Sequence, residues 1–157
     1  MKHIQTFLVM LAIHGLSLSN VFAQLEWAGD KYLDDSQVIT ENIILIGNTN
    51  IYVNSGTAII SGIISGTESL TKFGTGKLIL TGVNTYTGKT TISDGATIVL
   101  KDGGKIENSS EVILGDNAKF DVREADYFPK IKALNSIYFN SEVVLQHSSD
   151  LYLGNGG

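Results

Sequence analysis

LTKFGTGKLILTGVNTYTGKTTISDGATIVL, residues 70–100, is the stretch whose reading decides the fold. It consists of short apolar or β-branched runs, Leu78-Ile79-Leu80, Thr90-Thr91-Ile92 and Thr97-Ile98-Val99-Leu100, separated by Gly74, Gly76, Gly82, Gly88 and Gly95. Runs of three to five such residues between glycine turns predict short strands joined by tight corners. No helical periodicity competes with that pattern.

Outward from this stretch the pattern continues. Upstream, Ile43 to Ile46, Asn50 to Val53 and Thr57 to Ile60 read as strands. Downstream, Ile92, Val99, Ile106, Ile113 and Phe120 fall seven residues apart, and Ile137, Val144 and Leu151 continue the step. Helical heptads share the number seven. Here Gly103-Gly104 and Gly115-Asp116-Asn117 interrupt any helix, and the runs are of strand length. Alternation within the runs selects one packed face: Ile98 and Leu100, Val112 and Leu114, Phe120 and Val122, Val143 and Leu145, Leu151 and Leu153. Three steps of seven make about one coil of a β-solenoid, in which each coil buries its inner face on the next. A β-sandwich would give similar strand spacing, but very short strands and two-residue glycine corners favour the solenoid.

Composition agrees. The 157 residues include 17 glycines, one proline (Pro129) and no cysteine. Scarce proline suits stacked strands, because proline cannot donate to a sheet ladder. Without cysteine there are no disulfide staples, no zinc-thiolate site and no catalytic thiol. The formal charge of −5 and the single arginine, Arg123, argue against nucleic acid as a partner, since phosphate backbones reward clustered cations.

The ends read differently. Residues 1–23 have the form of a secretory signal. Lys2 precedes the apolar run Phe7 to Ile13, and Val21-Phe22-Ala23 ends in a small-residue pattern that predicts a cut between Ala23 and Gln24. The run is interrupted by His14, Gly15 and Ser17 before it reaches the ~20 residues of a membrane span. Residues 24–42, with Trp27, Asp30, Asp34, Asp35 and Glu41, are less periodic and read as a lead-in or end cap, Trp27 and Leu25 covering the open core. Their acids lack the alternation and internal glycine of a calcium loop. Residues 123–135, which contain Pro129, read as a loop, and Asp121 with Arg123 reads as a surface ion pair. The chain stops at Leu151-Tyr152-Leu153-Gly154-Asn155-Gly156-Gly157, a strand and a turn, and the expectation is of a continuation beyond it.

The phrase KFGTGKLILTGVNTYTG, followed by a Thr-rich strand and a Gly turn, resembles the passenger-associated repeat of bacterial autotransporters. The resemblance is strong over residues 64–100 and looser from Ile43 onward, and the closing LYLGNGG is similar to the phrase that leads into a further repeat. It implies an all-β fold, a right-handed parallel β-helix following the signal peptide, with residues 43–157 forming a passenger segment. It also implies a structural role for Gly74, Gly76, Leu78, Leu80, Gly82, Asn84, Tyr86, Gly88, Thr90 and Gly95, in support of passenger folding during export. The implied location is the cell surface, outer membrane or extracellular space. The implied partners are the rest of the passenger and a translocator β-barrel, for which these 157 residues have no room, together with a host surface or glycan ligand if the segment serves adhesion. No cofactor, metal or catalytic residue is implied.

Several short motifs imitate catalytic or binding sites. Gly82 to Thr90 imitates a phosphate loop, but five residues rather than four separate its glycines and a strand follows instead of a helix. Gly74-Thr75-Gly76-Lys77-Leu78 fails likewise. His147 is the one histidine beyond the signal, with no nucleophile elbow in the sequence. Asn108-Ser109-Ser110 matches a glycosylation acceptor pattern, which is idle in the bacterial setting that the resemblance implies. The enzyme alternative is a β-helical polysaccharide lyase or hydrolase. Its carboxylates would come from Asp94, Asp102, Asp116 and Asp121, the first three of which sit in probable corners where Asp serves turn geometry.

Overall fold

The computed structural model describes residues 24–125, 134–136 and 142–144. Every strand pairing in it is parallel. Strands β1 (Gln24–Tyr32), β3 (Asn42–Tyr52), β6 (Leu70–Phe73), β8 (Thr90–Ile92), β10 (Val112–Leu114) and β12 (Leu134–Ser136) stack in that order as one sheet, with β5 (Ile64–Gly66) also on β3. The second sheet runs β2 (Val38–Ile39), β4 (Thr57–Ile60), β7 (Lys77–Leu80), β9 (Thr97–Lys101), β11 (Lys119–Glu124) and β13 (Glu142–Val144). The chain alternates between the two sheets, so each circuit returns to the strand beside its start. This is a β-solenoid of about five turns, with no helix among the described residues.

Register measures the coil. Leu70 lies opposite Thr90, Thr90 opposite Val112, and Lys77 opposite Thr97, which are steps of 20, 22 and 20 residues. A third side closes each circuit. In the early coils it is strand, where Ile43 pairs with Leu25 and with Ile64. At residues 83–88 it is irregular but still laddered, with the N–H of Thr85 donating to the Ile64 carbonyl (2.8 Å) and that of Thr87 to Gly66 (3.0 Å).

The packed face is the one that alternation selects. Ile98, Leu100, Val112, Leu114, Phe120 and Val122 are all buried. Val143 lies on β13, whereas the side chains of Leu145, Leu151 and Leu153 belong to runs outside the described residues. The seven-residue series divides between the faces. Ile92, Ile106 and Phe120 are inside, whereas Val99 and Ile113 are register partners of the outward Ile79 and Thr91. Seven is odd and the strand period is two, so the step marks sides of the coil rather than faces.

Two differences from the sequence reading concern the N-terminal half. Ile43–Ile46 and Asn50–Tyr52 are parts of one strand, β3, which bends from the third side into the first sheet, with Val53 just beyond its end. Residues 24–42 join the solenoid as its first coil. β1 matches β3 at eight positions, with an irregularity between Trp27 and Gly29 that explains the broken periodicity. Trp27 and Leu33 are buried there, and Leu25 packs against the core from its margin. Gln24 opens β1, whereas Ala23 and the rest of the signal reading lie outside the described residues. So do Pro129, His147, most of the 123–135 loop and the closing LYLGNGG.

Candidate functional site

Residues 70–100 form β6 and β7 of one coil and β8 and β9 of the next. The stretch therefore contains a complete coil-on-coil contact in both sheets, Leu70–Lys72 on Thr90–Ile92 and Lys77–Leu80 on Thr97–Leu100. Leu78 and Leu80 point into the core and are fully buried, each contributing roughly 1.5–3 kcal/mol by removal from water. Gly74 closes the first corner with φ of +81°, a conformation disfavoured for residues bearing a Cβ. Gly82 serves by proximity, since a Cβ there would strike the Gly62 carbonyl of the coil below. Gly76 and Gly88 press on Val53–Ser55 and Glu68 in the same way, while Gly95 turns a corner with open space around it.

Asn84 and Tyr86 fill the inside of the third side, where earlier coils place Ile43 and Leu45. The Asn84 Oδ1 accepts from the Ile64 N–H (2.8 Å) and its Nδ2 donates to the Gly82 carbonyl (2.9 Å). The first pairs a backbone N–H that the corner would otherwise leave buried and unmatched, and the second joins the Lys105 N–H on the Gly82 carbonyl. The Tyr86 hydroxyl lies 2.6 Å from Thr90 Oγ1, which lies 2.9 Å from Ser109 Oγ, and Ser109 donates on toward the Gly88 and Glu111 carbonyls. Burial pushes the Tyr86 hydroxyl well above its ordinary pKa, so it stays protonated. Gly74, Gly76, Leu78, Leu80, Gly82, Asn84, Tyr86, Gly88 and Thr90 thus gather on one coil and its junction, with Gly95 at the next corner.

The corners carry a directional pattern. Asp35 Oδ1 accepts from the N–H of Thr57 (2.8 Å), Asn42 Oδ1 from Ile63 (2.9 Å), Asn48 Oδ1 from Ser69 (3.2 Å), Ser69 Oγ from Lys89 (3.1 Å) and Asp94 Oδ1 from Asp116 (2.9 Å). In each, a side chain of the earlier coil accepts from the backbone of the later one. Asn84 instead accepts from the coil before it, and the hydroxyls of Ser61, Ser65, Thr75 and Ser109 donate back to carbonyls of the preceding coil. Lysine 72 is a feature the sequence reading missed. Alternation after Leu70 puts it inside, its register partners are Ile51 and Ile92, and it is fully buried. Its Nζ donates to the carbonyls of Phe73 (2.7 Å) and Gly74 (2.8 Å).

Of the carboxylates offered for catalysis, Asp94 and Asp116 share a corner of successive coils, whereas Asp102 follows β9 and Asp121 lies within β11. Asp94 caps the Asp116 N–H, and Asp102 holds a turn with φ of +50°. Asp121 is gripped by Arg123 through Nε–Oδ1 (2.9 Å) and Nη2–Oδ2 (2.6 Å). That guanidinium holds the Asp121 carboxyl below the usual carboxylate range. Asp121 is nearly buried, so the pair is less superficial than its spacing implies. Among the described residues no three His, Asp or Glu side chains gather as metal ligands. On the outer face Tyr32, Tyr52 and Phe73 stack one above another at 4.7 and 4.9 Å, a ladder that the 20-residue register creates from positions remote in sequence.

Three comparisons with known proteins bear on this geometry. The model of the passenger-associated-transport-repeat family matches residues 70–100, the coil junction just described. Over 87 residues, half of this chain, the sequence is 41% identical to the adhesin BmaC autotransporter of Brucella suis biovar 1 (strain 1330). The match spans about 2% of that relative's length. No solved structure matches. Residues 70–100 thus carry a passenger-associated transport repeat built into stacked parallel coils, and the chain is similar to part of an autotransporter adhesin.

Proposed function

We propose that this segment is a non-enzymatic part of an exported passenger, and that its repeat promotes folding of the β-solenoid during transit to the cell surface. The observation that carries this reading is that residues 70–100 contain one whole coil contact, with strand partners in both sheets. Such a unit can close on itself and then present a finished edge to the coil that follows. The forward-facing acceptors at Asp35, Asn42, Asn48, Ser69 and Asp94 support growth from the N-terminal side, because each corner offers its successor a ready partner. In this reading residues 1–23 direct export and are removed before Gln24, leaving β1 at the new terminus. A translocator β-barrel elsewhere in the native protein supplies the outer-membrane pore.

Pulse-labelled source cells provide the test. Protease shaving would follow arrival of the passenger at the surface, comparing the natural sequence with Asn84→Ala and Gly82→Val. The expected result is slower surface arrival with unchanged synthesis. Arrival at the natural rate, with a repeat shown to be destabilised, would sink the proposal. Adhesion is the further role that the similar adhesin suggests. Immobilised glycans and matrix proteins, probed with the displayed segment, test it by retention above that of an unrelated solenoid. New unsaturated or reducing ends on an acidic polysaccharide would instead establish the enzyme reading.

A further inference from the structure

Lys72 occupies a position where a lysine has no ordinary reason to be. It stands in the inner column of the first sheet, between Ile51 below and Ile92 above, and is 0% exposed. Its two bonds are to backbone carbonyls of its own corner, Phe73 and Gly74, at 2.7 and 2.8 Å. A neutral amine has two N–H donors and matches those two acceptors, whereas an ammonium has a third donor and a full charge to desolvate.

Among the described residues nothing charged faces it. On its own strand Leu70 shares the inner face, and β3 and β8 present Ile51 and Ile92. Tyr52 of β3 is in the outer aromatic stack. From the opposite sheet Ile60, Leu80, Ile98 and Leu100 line the core, while Lys77 is exposed and Lys101 pairs with Glu124. From the third side Tyr86 is bound to Thr90 and stays protonated. Lys31 lies in the same column, beyond Ile51 and partly exposed.

We propose that Lys72 makes closure of the repeat coil a proton-linked step, the coil closing more favourably around the neutral amine than around the ammonium. The unfolded chain holds this amine in water, where it keeps its proton across the neutral and mildly alkaline range. Folding in that range expels the proton to solvent, and no bond other than N–H is broken. Burial lowers the Lys72 pKa from 10.5 to about 8, which defines the window. Below about 8 both states carry the proton and the folded coil bears the burden of a buried charge. Between about 8 and 10.5 the unfolded state binds more protons than the folded one, so stability rises with pH. This is opposite in direction to the loss expected when an ion-paired lysine is deprotonated. The inference stands on the packing of Lys72 and does not depend on the role in export.

The test compares urea unfolding of the full chain and of Lys72→Met from pH 7 to pH 9. The natural chain should gain about tenfold in its folded-to-unfolded ratio over that interval, and Lys72→Met should lack that gain. Equal pH dependence of the two chains would overturn the proposal. Because Lys72→Met can fold differently, the natural chain is also labelled at lysine and titrated by NMR. One lysine resonance moving two or more pH units below the others is expected. A full set of lysines titrating together near 10.5 would overturn the proposal independently of the variant.

Discussion

At the scale of single residues, the repeat uses side chains to replace missing backbone partners. Asn84 does so at the Ile64 N–H, and adds a second donor to the Gly82 carbonyl, which also accepts from Lys105. Asn84→Ala leaves the Ile64 N–H unmatched in a buried corner, while the Gly82 carbonyl keeps the Lys105 N–H, and should destabilise the chain by about 2–3 kcal/mol, measured by urea unfolding. Tyr86→Phe removes one hydroxyl from a chain in which Thr90 still reaches Ser109, and about 1 kcal/mol is expected. Equal effects of the two substitutions would contradict this assignment. Glycines separate by mechanism. Gly82→Ala drives a Cβ into the Gly62 carbonyl and forces two coils apart. Gly95→Ala meets open space and suffers the left-handed backbone alone, about 1–2 kcal/mol. Thermal unfolding should therefore rank Gly82→Ala well below Gly95→Ala, and the reverse order would refute the close-approach argument.

At the scale of strands and corners, the useful unit is the corner together with the coil above it. Asp94→Ala should cost about 1 kcal/mol by freeing the Asp116 N–H. Amide exchange reads this locally: the Asp116 amide should lose protection in Asp94→Ala, and retention of protection would discredit the cap. Much at this scale was legible in the sequence. Leu78, Leu80, Ile98 and Leu100 declare the inner face by alternation, and Gly74, Gly82 and Gly88 declare the corners. Lys72 was legible in principle, two residues from Leu70 on the same face, but a lysine in a strand reads as solvent-facing. Its partners, the Phe73 and Gly74 carbonyls, are backbone atoms that sequence does not display. β1 escaped notice because its irregularity beside Gly29 breaks the alternation that elsewhere identifies strands.

At the scale of the whole molecule, a solenoid has two ends whose strands are only half paired. Among the described residues nothing pairs with the outer edge of β1, and the inner column below Ile51 finishes in Lys31. An inward lysine at an end discourages another sheet from stacking there. Lys31→Ile extends the aliphatic column to the tip, and a chain beginning at Gln24 should then associate in a concentration-dependent way by light scattering. Unchanged association would remove Lys31 from that role. Long-range features of this kind, like the Tyr32–Tyr52–Phe73 stack, were not legible because they depend on a register of 20 to 22 residues rather than on neighbours. That register has a mechanical consequence. About 20 residues of extended chain measure about 65 Å, yet a stacked coil advances the rod by only about 4.8 Å. A rod lengthening at one end therefore spools in more than ten times the length it gains, which makes coil addition a winch acting on whatever slack chain lies beyond it.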